Sequence, residues 1–183
     1  IDQWIPWNYN GFEKKGSWDT YDEINTYLEG TQPDPRVVYE HSQDHNSMGS
    51  SRAFESLPLF SGRSTLEGLY MQSSLNAPFI FHIQSLVSKE RSCPFPNFGC
   101  GRTDLAAAYP RLLMYNVNHL IMKSSVAKDA IRGVNNYELQ KTVGAYEIWK
   151  TDVSTQYVEV PYFEPVKFKS DYPQMTSYMW FLN

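Results

Sequence analysis

The residues whose types and spacing could do chemistry fall into three groups. Glu40, His41, Asp44 and His45 form the most ligand-like set, because two imidazoles on one turn could face a single metal ion with a carboxylate beside them. Centred on His41, Asp44 and His45, such a set would support a metal-dependent hydrolase, with zinc a candidate ion. The competing reading is a polar surface loop. The second group is Arg52, Glu55, Arg63 and Glu67, interleaved with aromatic residues and followed by Tyr70. Guanidinium groups fork to phosphate or hydroxyl oxygens, carboxylates accept hydroxyl protons, and rings stack on sugar faces, so this stretch could bind a glycan or phosphosugar. Two internal Arg-to-Glu salt bridges pinning a loop to the core explain the same residues, with Gly62 and Gly68 bracketing the segment as turn formers. Third, Ser125 and Lys128 have the Ser-x-x-Lys spacing of acyl-serine enzymes, but the accompanying Ser-Asp-Asn and Lys-Thr-Gly elements are missing. Ser125 as a helix N-cap with Lys128 solvated is the simpler account.

Cys93 and Cys100 flank a short stretch, Pro94-Phe95-Pro96-Asn97-Phe98-Gly99, whose Pro and Gly residues bend the backbone and could bring the sulfurs together. A disulfide closing so small a loop would stabilise by about 2.5 kcal/mol in the chain-entropy model. A free thiol pair and half of a zinc site are the alternatives. With the disulfide, an oxidising, extracytoplasmic location follows.

Composition narrows the function classes. At 183 residues, one domain is the prior expectation. Hydrophobic residues are 42% and charged residues 20%, which a packed core needs and a disordered chain lacks. No apolar run approaches the length of a membrane span. The 16 Lys and Arg are scattered among 20 Asp and Glu, so no basic stripe exists to neutralise nucleic-acid phosphate. Gly-x-Ser-x-Gly, phosphate-loop and dinucleotide motifs are absent.

The elements that must position these groups are a mixed α/β set: a small central sheet with three or four flanking helices, behind an irregular aromatic arm at residues 4–12. Ser17 can cap a helix carrying Trp18, Tyr21, Ile24 and Leu28 on one face. Residues 36–40 read as a strand and 41–56 as a long loop, a kind of segment that is usually functional. Residues 79–84 read as a strand, and Thr103 or Asp104 caps a helix that Pro110 should kink or split. Residues 117–122 form a buried strand, Ser125 opens a short helix, 137–143 and 146–150 pair as a hairpin across Gly144-Ala145, and 156–163 adds a last strand before a Pro-containing tail.

Several segments carry a family resemblance. Trp7-Asn8-Tyr9-Asn10-Gly11-Phe12-Glu13, Val38-Tyr39-Glu40-His41-Ser42, Arg52-Ala53-Phe54-Glu55 and the run from Ser61 to Ser74 resemble the soluble region of multi-pass prokaryotic membrane proteins labelled "6-pyruvoyl-tetrahydropterin synthase-related". Leu113 to Ile121 and Gly144 to Trp149 are similar to the extracytoplasmic tail domains of membrane glycosyltransferases that use polyprenyl-phosphate sugars. The label does not carry over as chemistry: a pterin synthase resembles an enzyme with a His-x-His pair and a third His on zinc, whereas His41, His45, His82 and His119 include no such pair. The resemblance implies a single soluble domain, 1–183, excised from a larger membrane protein, with an irregular part (1–75), an α/β part (76–165) and a tail (166–183). It implies a non-catalytic lobe on the extracytoplasmic face, positioning a glycan or polyprenyl-phosphate sugar for the membrane-embedded remainder of the chain. No cofactor is expected beyond the zinc of the hydrolase alternative, and a purely structural interaction domain is the third reading.

Overall fold

In a computed structural model the chain is described over residues 2–68, 74–90, 93–152, 156–158 and 160–183. It is a mixed α+β structure built on one four-stranded sheet. The strands are β1 (Arg36–Tyr39), β2 (Val117–Met122), β3 (Tyr137–Val143) and β4 (Tyr146–Thr151), in the spatial order β1-β2-β4-β3. β1 runs parallel to β2, which the intervening helices make possible, and the other pairs are antiparallel.

Successive side chains of a strand point to opposite faces, and here both faces are covered. Val38, Leu120, Met122 and Trp149 point into one core, packed by α4 (Ala77–Val87), α5 (Leu105–Met114) and α6 (Ser125–Arg132). Val37, Tyr39, Ile121, Ile148 and Tyr146 point into the other, packed by α2 (Trp18–Tyr27), α3 (Leu57–Phe60) and the 3₁₀ turns Gln43–Met48 and Ala53–Ser56. That double cover explains why Val37-Val38-Tyr39 and Leu120-Ile121-Met122 run apolar without alternation.

The expected helix after Ser17, the strands from β1 through β4 and the capped helix after Asp104 are all present. Asp104 accepts from the Ala107 N–H at 2.9 Å. Gly144, at φ 55°, turns the β3–β4 hairpin.

Five local expectations are corrected. Residues 79–84 are not a strand but part of α4, which is buried nearly all round, so its apolar residues show neither the period of two nor a one-sided helical stripe. Pro110 does not split α5; the helix runs on to Met114, without the bond that the residue 110 N–H would donate. Ser124, not Ser125, caps α6, accepting from the Ala127 N–H at 3.1 Å. The aromatic arm contains a short helix, α1 (Trp4–Tyr9), none of whose residues is buried. No strand exists at the described positions of 156–163, where Val158, Val160, Tyr162 and Phe163 are exposed, and the tail carries a helix, α7 (Pro173–Leu182), that packs through Tyr178.

The two edges of the sheet differ. Beside β1 the chain from Arg63 to Glu67 runs parallel to the strand: the Val37 N–H donates to the Ser64 carbonyl (3.0 Å) and the Leu66 N–H to the Val37 carbonyl (2.9 Å). At the far side β3 is interrupted by a register shift between Leu139 and Lys141, and its middle is exposed. Gly62, at φ 77°, admits this path: a Cβ there would sit 2.5 Å from the Gly30 carbonyl oxygen. Among the described residues no helix is long and apolar enough to cross a membrane.

Candidate functional site: two buried glutamates beside one strand

The ligand-like group lies at the C-terminal end of β1, where the structure divides it. The 3₁₀ turn Gln43–Met48 repeats every three residues, which sends Ser42, His45 and Met48 inward and leaves Asp44 exposed. His45 is fully buried, and burial holds its imidazole below the ordinary pKa, neutral. Its Nε2 lies 2.7 Å from the Glu40 carbonyl oxygen, an acceptor only, so Nε2 carries the proton. Nδ1 then accepts from the Tyr146 hydroxyl at 3.0 Å. Both ring nitrogens are thus in use, and the ring stacks on Tyr146 at 5.6 Å. His41 is half-buried with an unpartnered Nδ1, and its own N–H donates to Ser88 Oγ. Among the described residues no three His, Cys, Asp or Glu side chains gather where they could hold a metal ion. His41, Asp44 and His45 are therefore not brought together as a ligand set.

Glu40, beside them, is fully buried and serves the architecture. Its carboxylate accepts from the backbone N–H groups of Lys123 (2.7 Å), Ser124 (2.7 Å) and Lys89 (3.3 Å) and from Ser124 Oγ. These bonds tie β1 to the start of α6 and to the beginning of the loop after α4. Negative charge near the N-terminus of α6 also favours the helix dipole.

The Arg/Glu group is divided as well, for a reason visible in the backbone. Residues four apart meet on a helix, but the stretch from Arg63 to Glu67 is extended, rising about 3.3 Å per residue, so its ends lie at opposite ends of β1. Arg63 and Glu67 therefore make no ion pair. Arg63 is buried, its guanidinium donating to the Pro35 carbonyl and to Asn118 Oδ1 (2.9 Å), with His119 Nδ1 at 3.2 Å. Burial, then the Arg63 and Lys150 charges, push His119 down to about 4, so the ring stays neutral, and its Nδ1 also lies 2.7 Å from Asn118 Oδ1. Arg63 is a structural pin.

At the other end of β1, Arg52, Glu55, Tyr39 and Glu67 converge. Arg52 and Glu55 form an ion pair three residues apart on the Ala53–Ser56 turn, and the Arg52 side chain is 35% exposed. The Tyr39 hydroxyl stands between two carboxylates, 3.2 Å from Glu67 Oε2 and 3.4 Å from Glu55 Oε1. Burial, followed by the neighbouring Glu55 and Glu67, pushes the phenol above its usual value. Glu67 is 5% exposed and its Oε1 has no hydrogen-bond partner. Burial lifts its carboxyl to about 7, with Glu55 adding to the lift and the Tyr39 hydrogen bond and Arg52 opposing it. The cluster holds one guanidinium against two carboxyls, and the deeper one keeps its proton into the neutral range. Tyr70, the remaining expected ligand residue, lies outside the described residues.

The sequence pattern alone does not mark Tyr39 as a site residue. Its position two residues beyond Val37 on a strand covered on both sides reads as core, and a phenol at a strand end beside two later glutamates is the signal that could have found it. Ser125 and Lys128 form no nucleophile–base pair: the Lys128 ammonium donates to the Ala145 carbonyl at 2.6 Å. Cys93 and Cys100 are joined as a disulfide, with Cα atoms 6.0 Å apart.

A family model described as "Domain of unknown function (DUF8559)" matches residues 22–163. The chain belongs to the DUF8559 family. The DUF8559 region contains the whole sheet, the disulfide and both glutamate clusters, while α1 and α7 fall outside the matched residues. No curated protein and no solved structure matches the chain.

Proposed function

We propose that this chain is a non-catalytic, extracytoplasmic positioning lobe of a larger membrane protein of glycosyltransferase type, and that the surface around Arg52 and Glu55 addresses a glycan or polyprenyl-phosphate sugar. The observation that carries this reading is the cluster at the end of β1. A partly exposed guanidinium can fork to phosphate or hydroxyl oxygens, and behind it stand Glu55, Tyr39 and a buried Glu67 with an open acceptor. A guanidinium backed by carboxyls and a phenol suits holding a ligand in orientation. The Cys93–Cys100 disulfide supports the extracytoplasmic placement.

The test is titration of the purified chain with a short-chain polyprenyl-phosphate hexose in detergent, followed by calorimetry. Wild type should bind and Arg52→Ala should bind at least tenfold more weakly with an unchanged melting temperature. Arg63→Ala is uninformative for this purpose, since that residue pins the fold. Absence of binding by the wild type, or equal binding by Arg52→Ala, overturns the ligand assignment and leaves a structural interaction domain. Accessibility of Cys93 and Cys100 to a membrane-impermeant thiol reagent, after reduction in intact cells, tests the side of the membrane; protection in intact cells that is lost on lysis overturns the placement.

A further inference from the structure

The arm that precedes the DUF8559 match carries two adjoining concavities of about 330 and 250 Å³, and Trp7, Asn10 and Lys15 line both. Asp2, Gln3, Pro6 and Lys14 complete the first, and Asn8, Gly49 and Ser50 help to line the second. We propose that this double groove, centred on Trp7, is a saccharide seat. The inference rests on the positioning role given above and moves its sugar contact to residues outside the Arg/Glu group.

Three observations carry it. First, Trp7 is a held ring. Lys15 Nζ lies 4.2 Å from the ring centroid and donates to the Trp7 carbonyl, and yet the residue is 41% exposed. A fixed, half-exposed indole offers a flat apolar face to the C–H groups of a pyranose without the cost of ordering a mobile side chain. Second, the polar groups around it are the Asn8, Asn10 and Gln3 amides, the Asp2 carboxylate and the Lys14 ammonium, beside the buried Lys15. Asn8 Nδ2 is committed to the Trp4 carbonyl at 2.8 Å, which leaves its amide oxygen as an acceptor, and Asn10, Gln3 and Lys14 add donors and acceptors of the kind that neutral hydroxyls satisfy. This mix suits a sugar better than an apolar peptide or a lipid tail, each of which would leave the amides without partners. Third, the groove is continuous with the Arg52 surface. Ser50 lines it, and Ser50 Oγ accepts from the Arg52 N–H at 3.1 Å, so a sugar seated on Trp7 lies along the same loop that carries the guanidinium.

The arm is also tied to the body. Phe12 stacks on Tyr21 at 5.1 Å, and a Cβ at Gly49 would touch both Lys15 and Phe12, so the loop and the arm are in close contact. The seat is thus built between α1 and the loop before Arg52.

The experiment uses the 183-residue chain, with maltotriose, chitotriose and a hyaluronan tetrasaccharide as probes, and follows the tryptophan indole N–H resonances by NMR up to 20 mM sugar. At least one probe should shift the Trp7 resonance with saturable, millimolar or tighter affinity. Trp7→Ala should weaken that binding at least tenfold and Asn10→Ala at least threefold, while Trp180→Ala, exposed on α7, should leave it unchanged. Since no α1 side chain is buried, Trp7→Ala should retain the wild-type melting temperature. No saturable shift with any probe, or Trp7→Ala binding like wild type, overturns the seat. Because the probes carry no polyprenyl phosphate, their failure leaves the Arg52 titration standing, and failure of that titration leaves a Trp7-dependent shift standing.

Discussion

Glu40 and Glu67 are both withdrawn from solvent, at 0% and 5% exposure, and both lie next to the end of β1, yet they are opposite kinds of residue. Glu40 is surrounded by donors, three backbone N–H groups and a hydroxyl, which replace the water that its charge gave up. Glu67 has one phenol, a like-charged neighbour and an oxygen with no partner. A buried carboxyl is thus architectural or poised according to its donor count rather than its depth.

The largest effect that would break this contrast is at Glu40. Glu40→Ala removes the acceptor for three backbone N–H groups and should cost about 3–5 kcal/mol in urea denaturation. A loss below about 1 kcal/mol would mean that those donors find water instead.

Glu67 sharpens the same contrast through pH. Its folded-state carboxyl is raised to about 7 from an ordinary 4.5, so between those values the native protein holds a proton that the unfolded chain has released. Stability is therefore greatest below about 4.5 on this account and falls as pH rises through about 7, by about 3 kcal/mol once Glu67 is ionised. Glu67→Gln should flatten this fall and be the more stable protein at pH 8, with little difference at pH 4. Parallel urea midpoints at the two pH values check it, and equal slopes in both proteins would sink the assignment.

Tyr146→Phe leaves His45 Nδ1 buried without its donor and should cost about 1–2 kcal/mol, read as a lower thermal midpoint. Smallest of all, Arg52→Ala breaks only a partly exposed ion pair and should change stability by less than about 1 kcal/mol. That makes it a usable probe of binding.

Much of the sheet was legible because β1, β2 and the β3–β4 hairpin have strand-forming residues between clear turn and cap signals. Asp104 announces α5 in the same way. α4 was not legible: Phe79-Ile80-Phe81-His82-Ile83 has the composition of a strand, and burial on most sides erases the one-sided stripe that marks a helix. The Arg/Glu group was half legible. Arg52 and Glu55 share a helical turn, where three residues apart means contact, whereas Arg63 and Glu67 lie on an extended segment, where four apart means separation. His45 looked like a ligand because sequence shows a side chain's chemistry and not its partners, and its partners, Tyr146 and the Glu40 carbonyl, come from a distant strand and from main chain.

The unlike edges of the sheet bear on whether a foreign strand can add to it. With the Arg63–Glu67 segment already laid along β1, a foreign strand has only β3 to join. There it would meet a broken ladder at Leu139–Lys141 and a lysine tethered to Glu23 at 2.9 Å, two features that deter edge-to-edge polymerisation. Deleting the bulge and replacing Lys141 with an apolar residue would turn this flank into a template for fibrils.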